Sequence, residues 1–194
     1  MKFSNSFLLI SLLFVTAIPG QAEFLNPLDL SQQIHQSEFS SFDFSRGSLD
    51  EELENSNYPI HPQASLTTGS LCEHPSRKRY PERINYCERS VESELKRQII
   101  RRYDATFKYR IQSMSRSDFK IDHLIPLCMG GSNEENNLWP QYKKIYMITD
   151  PLEPEMCAAM SNGKILQRDA VMLILKAKNN LDQAGMILKQ IRAL

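Results

Sequence analysis

The stretch 119–141 constrains the fold of this chain more than any other, because it predicts a strand, a tight turn and a returning loop in close succession. Its first half is rich in strand-forming side chains, with one proline that an edge strand or a bend tolerates. The Gly-Gly pair at 130–131 allows the chain to reverse. The loop then brings Asn136 and Asn137 back towards His123. A carboxylate, an imidazole and a carboxamide gathered at one turn predict a one-metal hydrolytic site.

The first 22 residues have the layout of a secretory signal peptide. Lys2 precedes an apolar run over 7–19, and small residues at 20 and 22 form a cleavage site after Ala22. A membrane anchor is the weaker alternative, because a bilayer span needs about 20 apolar residues. We therefore expect a secreted or periplasmic protein that has no membrane association once residues 1–22 are removed.

All four cysteines lie in the mature chain, which in an oxidising compartment predicts disulfide bonds. Four cysteines allow three pairings, and the sequence does not choose among them. We favour Cys72–Cys87 with Cys128–Cys157, because each pair closes a short or moderate loop. Unpaired buried cysteines are the alternative. The absence of Cys-x-x-Cys spacing argues against structural zinc.

The zero net charge of the chain conceals a strong asymmetry. Residues 23–70 carry eight acids and one base, and their Ser, Asn and Gln content predicts an acidic, flexible arm. Residues 71–194 carry a net charge of +6, which lies within 73–120. We therefore divide the chain into a signal peptide (1–22), an arm (23–70) and a domain (71–194). The arm is interpreted as a linker, with docking over the basic face as the alternative.

The basic segment offers two candidate nucleic-acid contacts. A short basic run is followed by a predicted helix over 90–104, which begins at Ser90 and presents a basic stripe opposite its apolar face. An ordinary solvated helix face is the alternative interpretation of that stripe. The candidate contact residues are Arg77, Lys78, Arg79, Lys96, Arg97, Arg101 and Arg102.

Hydrophobic periodicity predicts the remaining elements. Alternation predicts a strand over 107–114, and the Asp-His strand is expected over 119–127. Three helices are expected beyond residue 141, over 151–160, 167–178 and 181–191, and they pack a core or cover the site, with a dimerisation face as the alternative.

Asp122-His123, Pro126, Gly130-Gly131 and Asn137-Leu138-Trp139-Pro140 together resemble the HNH endonuclease family, the ββα-metal or His-Me finger nucleases. The resemblance is to a branch with an Asp-His-x-x-Pro-Leu, Gly-Gly and Asn-Leu-Trp-Pro core, and it covers about residues 95–160. It implies an α+β fold: a small ββα-metal core with flanking helices, an N-terminal basic helix and a C-terminal helical extension.

The resemblance also implies roles for the site residues. Asp122 would bind a divalent metal and His123 would act as the general base, while Asn137 would orient His123 or hold the loop through backbone hydrogen bonds. The chemistry is consistent with these residue types, because a neutral imidazole accepts a proton near physiological pH and strand neighbours point to opposite faces.

The chain departs from the family pattern at the last metal ligand. The family places a His or Asn on the helix after the loop, whereas this sequence offers only Asp150 and Glu153 as nearby oxygen ligands. Mg²⁺ is the metal expected at such an oxygen-rich site, with Mn²⁺, Ni²⁺ or Zn²⁺ as substitutes.

The sequence thus predicts a secreted, metal-dependent endonuclease that acts on DNA, or also RNA, as a monomer with mostly backbone contacts to nucleic acid. One alternative is a non-catalytic nucleic-acid-binding protein with the same fold, since the last metal ligand is missing. Another is an exported effector or toxin nuclease that requires a partner inhibitor protein in the producing cell.

Overall fold

Two small antiparallel sheets and five helices make up the part of the chain that the structure, a computed structural model, describes, residues 57–194. This arrangement is α+β, as expected. The strands are β1 (Arg77–Arg79), β2 (Ile84–Tyr86), β3 (Phe119–His123) and β4 (Leu138–Tyr142). The helices are α1 (Ser93–Phe107), α2 (Lys143–Thr149), α3 (Leu152–Ser161), α4 (Gln167–Asn179) and α5 (Ala184–Arg192).

The β3–β4 hairpin positions the predicted site. Its strands pair antiparallel, with His123 opposite Leu138 and Asp122 opposite Trp139, and helix α2 follows β4 directly. Pro140 is tolerated because a two-stranded sheet consists only of edge strands. Four of the five β3 residues are buried, so the strand is covered on both faces.

Two hydrophobic clusters hold the hairpin in place. One packs α1 against the hairpin and α2 through Tyr103, Trp139 and their neighbours. The other joins α3, α4 and α5 around side chains such as Met156 and Ile174. Leu175 on α4 contacts both clusters, so the helical layer and the hairpin layer form one packed unit.

The basic helix begins later than predicted, at Ser93 rather than Ser90. Glu92 occupies the N-cap position without a side-chain hydrogen bond. The backbone N–H of Ser90 donates to Asn133 Oδ1 (3.2 Å) in the returning loop. The chain thus reaches the site loop before it becomes helical.

The predicted strand over 107–114 is wrong, since a single turn of 3₁₀ helix covers Ile111–Ser113. The Asp104 carboxylate accepts the N–H groups of Ile111 (2.9 Å) and Gln112 (3.0 Å), which a strand would offer to a neighbouring strand. Lys108 adopts a left-handed conformation (φ 63°) that ends α1. Local side-chain hydrogen bonds therefore override the apolar alternation.

The Asp-His strand is also shorter than predicted and ends at His123 instead of residue 127. Both backbone polar groups of Ile125 bond to the Asn137 side chain rather than to another strand. The three C-terminal helices are confirmed to within three residues, with a 3₁₀ turn at Leu181–Gln183 before α5.

Both favoured disulfides are confirmed: Cys72 pairs with Cys87, and Cys128 pairs with Cys157. The first joins the entry segment to the end of the β1–β2 hairpin. The second joins the turn after β3 to helix α3.

Residues 57–70, which the sequence assigned to the arm, pack against the domain. Tyr58 stacks on Tyr142 with ring centroids 4.1 Å apart, and the hydroxyl oxygens of Thr67 and Tyr103 lie 2.7 Å apart. The signal peptide and the remainder of the arm lie outside the described residues. Among residues 57–194, no helix is long and apolar enough to cross a bilayer.

Candidate functional site

The neighbours Asp122 and His123 lie at the end of β3 and contact different partners, as their alternation on a strand requires. Asp122 contacts lysines from β3 and α4, whereas His123 contacts the returning loop. Both residues are buried, with relative exposures of 7% and 4%.

His123 is held as a neutral imidazole. Its Nε2 lies 3.1 Å from Asn133 Oδ1, and Asn133 Nδ2 donates to the Glu88 carbonyl (2.7 Å), which fixes the orientation of the amide. Because Oδ1 can only accept, the imidazole proton resides on Nε2, and Nδ1 is the basic nitrogen. Burial lowers the pKa of His123 from 6.5 to about 4, although the Asn133 hydrogen bond opposes this shift.

Asn137 holds the loop and does not contact His123. Its Oδ1 accepts the N–H of Ile125 (2.9 Å), and its Nδ2 donates to the carbonyls of Ile125 (3.0 Å) and Ser132 (2.9 Å). Asn137 therefore holds the loop through backbone hydrogen bonds and does not orient His123. The residue that positions His123 is Asn133, which the sequence analysis missed because several asparagines crowd this loop.

Asp122 forms two ion pairs. Lys178 Nζ lies 2.8 Å from Oδ2, and Lys120 Nζ lies 3.0 Å from Oδ1. Burial alone would raise the pKa of Asp122, but the two ammonium groups outweigh it and hold the pKa below its usual value. Asp122 is therefore an ionised carboxylate that is already paired with cations.

Lys178 is the site residue that the sequence analysis missed most completely. Its side chain is 0% exposed, and its Nζ donates to Asp122 Oδ2 (2.8 Å), to the His123 carbonyl (2.6 Å) and to Glu153 Oε1 (2.9 Å). Its position on α4 could have revealed that it is buried, because it follows the buried residues Val171 and Ile174 by seven and four positions and so lies on the same helix face. A lysine on the buried face of a helix requires buried acceptors.

The two predicted last metal ligands do lie beside Asp122. Glu153, in the first turn of α3, shares Lys178 with Asp122, while Asp150 shares Lys120 with it. Burial raises the pKa of Glu153, with Lys178 opposing and Asp122 reinforcing the shift. The structure thus brings all three predicted carboxylates into one cluster, together with two lysines.

These residues do not fit a divalent metal as they stand. Within residues 57–194, no group of three or more His, Cys, Asp or Glu side chains is arranged to hold a metal ion. Asp122 Oδ2 and Glu153 Oε1 are both bonded to the Lys178 ammonium. A divalent ion there would have to displace a buried positive charge.

The basic run on β1 contacts aromatic rings, with Arg77 and Lys78 exposed and Arg79 half-buried. The guanidinium groups of Arg77 and Arg79 lie 4.9 Å and 4.5 Å from the centroid of the Tyr86 ring, and Lys78 donates to Asn85 Oδ1. This arrangement presents three cations on one hairpin.

The predicted stripe on α1 is partly neutralised by carboxylates. Arg97 and Arg101 both bond to Glu94 (2.6 Å and 2.8 Å), and Arg102 bonds to Glu135. Lys96 lies half-buried on the same helix. A groove of about 260 Å³ beside this stripe is lined by cationic and apolar side chains: Arg97, Ile100, Arg101, Ile111, Gln112, Met114 and Arg116.

Comparison of the chain with protein-family models, with curated proteins and with solved structures gave no match. The functional interpretation therefore depends on the residues and the geometry described above.

Proposed function

We propose that this protein is an exported HNH-type endonuclease that hydrolyses phosphodiester bonds in DNA, and also in RNA as an alternative substrate. The observation that supports the proposal is the neutral His123 at the end of β3, in a β-hairpin that leads directly into helix α2. This order of elements is the one that a ββα nuclease core requires. The Asn137 bonds that shape the returning loop add further support.

His123 would act through Nδ1, because Nε2 is bonded to Asn133. A pKa of about 4 keeps the imidazole unprotonated at neutral pH but makes it a weak base. An approaching phosphate would raise this pKa, since a nearby negative charge favours the imidazolium. Because His123 is buried, the proposal also requires the loop that carries Asn133 to move when substrate binds.

No step is assigned to a metal. The resemblance implies Mg²⁺ at Asp122, but the carboxylates there bond to Lys120 and Lys178. What this chain's own residues supply is a neutral base, a loop shaped by the Asn137 hydrogen bonds, and cationic side chains on β1 and α1. The exposed arginines of β1 and α1 would contact the phosphate backbone, which predicts binding that weakens steeply as salt is raised.

The test is cleavage by the purified mature protein of supercoiled plasmid, single-stranded DNA and RNA. Each substrate is incubated with EDTA and, separately, with Mg²⁺, Mn²⁺, Ni²⁺ or Zn²⁺. The comparison variant is His123→Ala, and the matched control is His74→Ala, which removes an exposed histidine from a loop. Cleavage that is lost only in His123→Ala supports the proposal, whereas no cleavage above the His123→Ala background under any condition overturns it.

A non-catalytic nucleic-acid-binding protein is the second candidate. The lysine-paired carboxylates and the 4% exposure of His123 favour it, because neither reactive group is open to a substrate. Calorimetry separates the two functions. Nucleic-acid binding without metal uptake, combined with no cleavage in the plasmid assay, would favour the binding protein.

A further inference from the structure

The Lys178 ammonium is surrounded by oxygen atoms in the way that a bound metal ion would be. Three oxygens lie 2.6–2.9 Å from Nζ: one from the Asp122 carboxylate, one from the Glu153 carboxylate and the His123 carbonyl oxygen. An ammonium has three N–H donors, so each donor has one acceptor. Lys178 is completely buried, and its hydrogen-bonding capacity is fully used.

Each carboxylate of the cluster is paired with a lysine ammonium group. Lys178 lies between Asp122 and Glu153, and Lys120 lies between Asp122 and Asp150. The buried carboxylate of Asp122 therefore has an ammonium on each of its oxygens. Removal of either lysine would leave the buried Asp122 carboxylate with one ammonium partner instead of two, which is unfavourable for a buried charge.

Lys178 also connects three elements that are distant in the chain. It projects from the last turn of α4 to β3, 56 residues earlier, and to the start of α3, 25 residues earlier. Its bond to the His123 carbonyl reaches the backbone of the proposed catalytic residue. A fixed cation at this point therefore holds the end of β3 against the helical layer.

We propose that the Lys178 ammonium is the resident cation of this site, in the position where the resemblance predicts a divalent metal. The wild-type protein then binds no divalent ion at Asp122, and the site is assembled by lysine alone. This inference concerns the carboxylate cluster and holds whether or not the protein cleaves nucleic acid.

The same geometry indicates what the site becomes without Lys178. Two carboxylates and a carbonyl would then face a space previously filled by the ammonium, and hard divalent cations prefer such oxygen ligands. Ca²⁺ and Mn²⁺ are suitable probes. Ca²⁺ accepts oxygens at about 2.3–2.6 Å in flexible geometry, whereas Mg²⁺ demands an octahedron at about 2.0–2.1 Å.

The primary experiment uses the wild-type mature protein and Mn²⁺, whose paramagnetism broadens the NMR signals of nearby amides. We expect the amide signals of Asp122, His123 and Glu153 to be no broader than those of residues on the far side of the molecule. Selective, saturable broadening of these three signals would show an ion at Asp122 and overturn the proposal.

The second experiment compares Lys178→Ala with Lys176→Ala, which removes an exposed lysine from the same helix. We expect Lys178→Ala to bind Ca²⁺ or Mn²⁺ at least ~10-fold more tightly than wild type in calorimetry. Addition of Asp122→Asn to Lys178→Ala should abolish that increase in affinity, and Lys176→Ala should have the same ion affinity as wild type.

Folding of Lys178→Ala is followed by circular dichroism in the same buffers. A variant that folds only when Ca²⁺ or Mn²⁺ is present supports the proposal, because the ion then replaces the ammonium. A folded Lys178→Ala with no greater affinity than wild type contradicts it. If this variant does not fold in any buffer, the wild-type NMR result decides alone. None of these experiments measures nucleic-acid cleavage, so a result that contradicts the Lys178 proposal is distinguishable from one that contradicts the nuclease proposal.

Discussion

His123 and Asp122 are adjacent in the chain, but the fold stabilises the neutral form of His123 and the ionised form of Asp122. Asp122 is ionised between two ammonium groups, while His123 is neutral because burial disfavours its protonation. Asn133 fixes which imidazole nitrogen carries the proton. The chemistry of the site is therefore decided by the partners that each side chain meets.

The low pKa of His123 predicts a loss of stability in acid. The folded state takes up the imidazole proton only near pH 4, whereas the unfolded chain takes it up near pH 6.5. As the pH falls through this window, the unfolded state is protonated at His123 while the folded state is not. Proton binding therefore stabilises the unfolded state, and the free energy of unfolding decreases by roughly 3 kcal/mol. Urea unfolding at several pH values measures this decrease.

The matched variants for that measurement are His123→Gln, which removes the titrating group, and His74→Ala. The pH-dependent decrease should be smaller in His123→Gln and unchanged in His74→Ala. An NMR titration of His123 with a midpoint near its ordinary value of 6.5 would contradict the account.

At the scale of elements, the Asn137 side chain and a close backbone approach at Gly131 shape the returning loop. Asn137 bonds to backbone groups of both Ile125 and Ser132. Gly131 lies so near the Ile125 carbonyl that an added Cβ would be 1.8 Å from its oxygen. The two glycines thus serve different needs, since Gly130 provides a positive φ (84°) and Gly131 provides space.

Asn137→Ala should destabilise the protein far more than Asn136→Ala. The first substitution leaves buried polar groups of Ile125 without partners, at about 1–3 kcal/mol for each unsatisfied group. Asn136 is exposed, and its side chain accepts one hydrogen bond, from Ser70. If urea unfolding showed that both variants lose the same free energy of unfolding, Asn137 would not be the residue that holds the loop.

Gly131→Ala and Gly185→Ala should have opposite effects on stability. The first places a methyl group against the Ile125 carbonyl and forces the backbone apart, whereas an alanine at 185 meets open space in α5. Alanine is a better helix former than glycine by about 1 kcal/mol, so Gly185→Ala should raise the melting temperature. A Gly131→Ala protein as stable as wild type would contradict the close approach.

At the scale of the whole molecule, the sequence predicts those features that depend on local pattern. The helices α3 to α5 follow from apolar periodicity, and the disulfide pairing agrees with the preference for short loops, although the sequence alone does not choose among the three pairings. The buried position of Lys178 could be read from helical spacing, but its acceptors could not, because they come from elements 25 and 56 residues away. Asn133 could not be distinguished from Asn137, since their roles depend on how the loop folds back.

The boundary of the packed unit gives a prediction at this scale. Residues 57–70 contribute the Tyr58–Tyr142 stacking and the Thr67 hydrogen bonds to Tyr103 and the Leu138 carbonyl. A chain that begins at residue 71 should therefore melt lower than one that begins at residue 57, by on the order of 10 °C. Calorimetric melting curves that coincide would show that this segment does not stabilise the domain.

The central claim is that His123 is the base of a phosphodiester hydrolase, and the rate of plasmid nicking tests it most directly. Conversion of supercoiled to nicked plasmid is followed over time with equal amounts of wild type, His123→Ala and His74→Ala. We expect His123→Ala to be slower than wild type by about 10²–10⁴-fold, the usual contribution of a general base, and His74→Ala to match wild type. Nicking by His123→Ala at the wild-type rate would contradict the account.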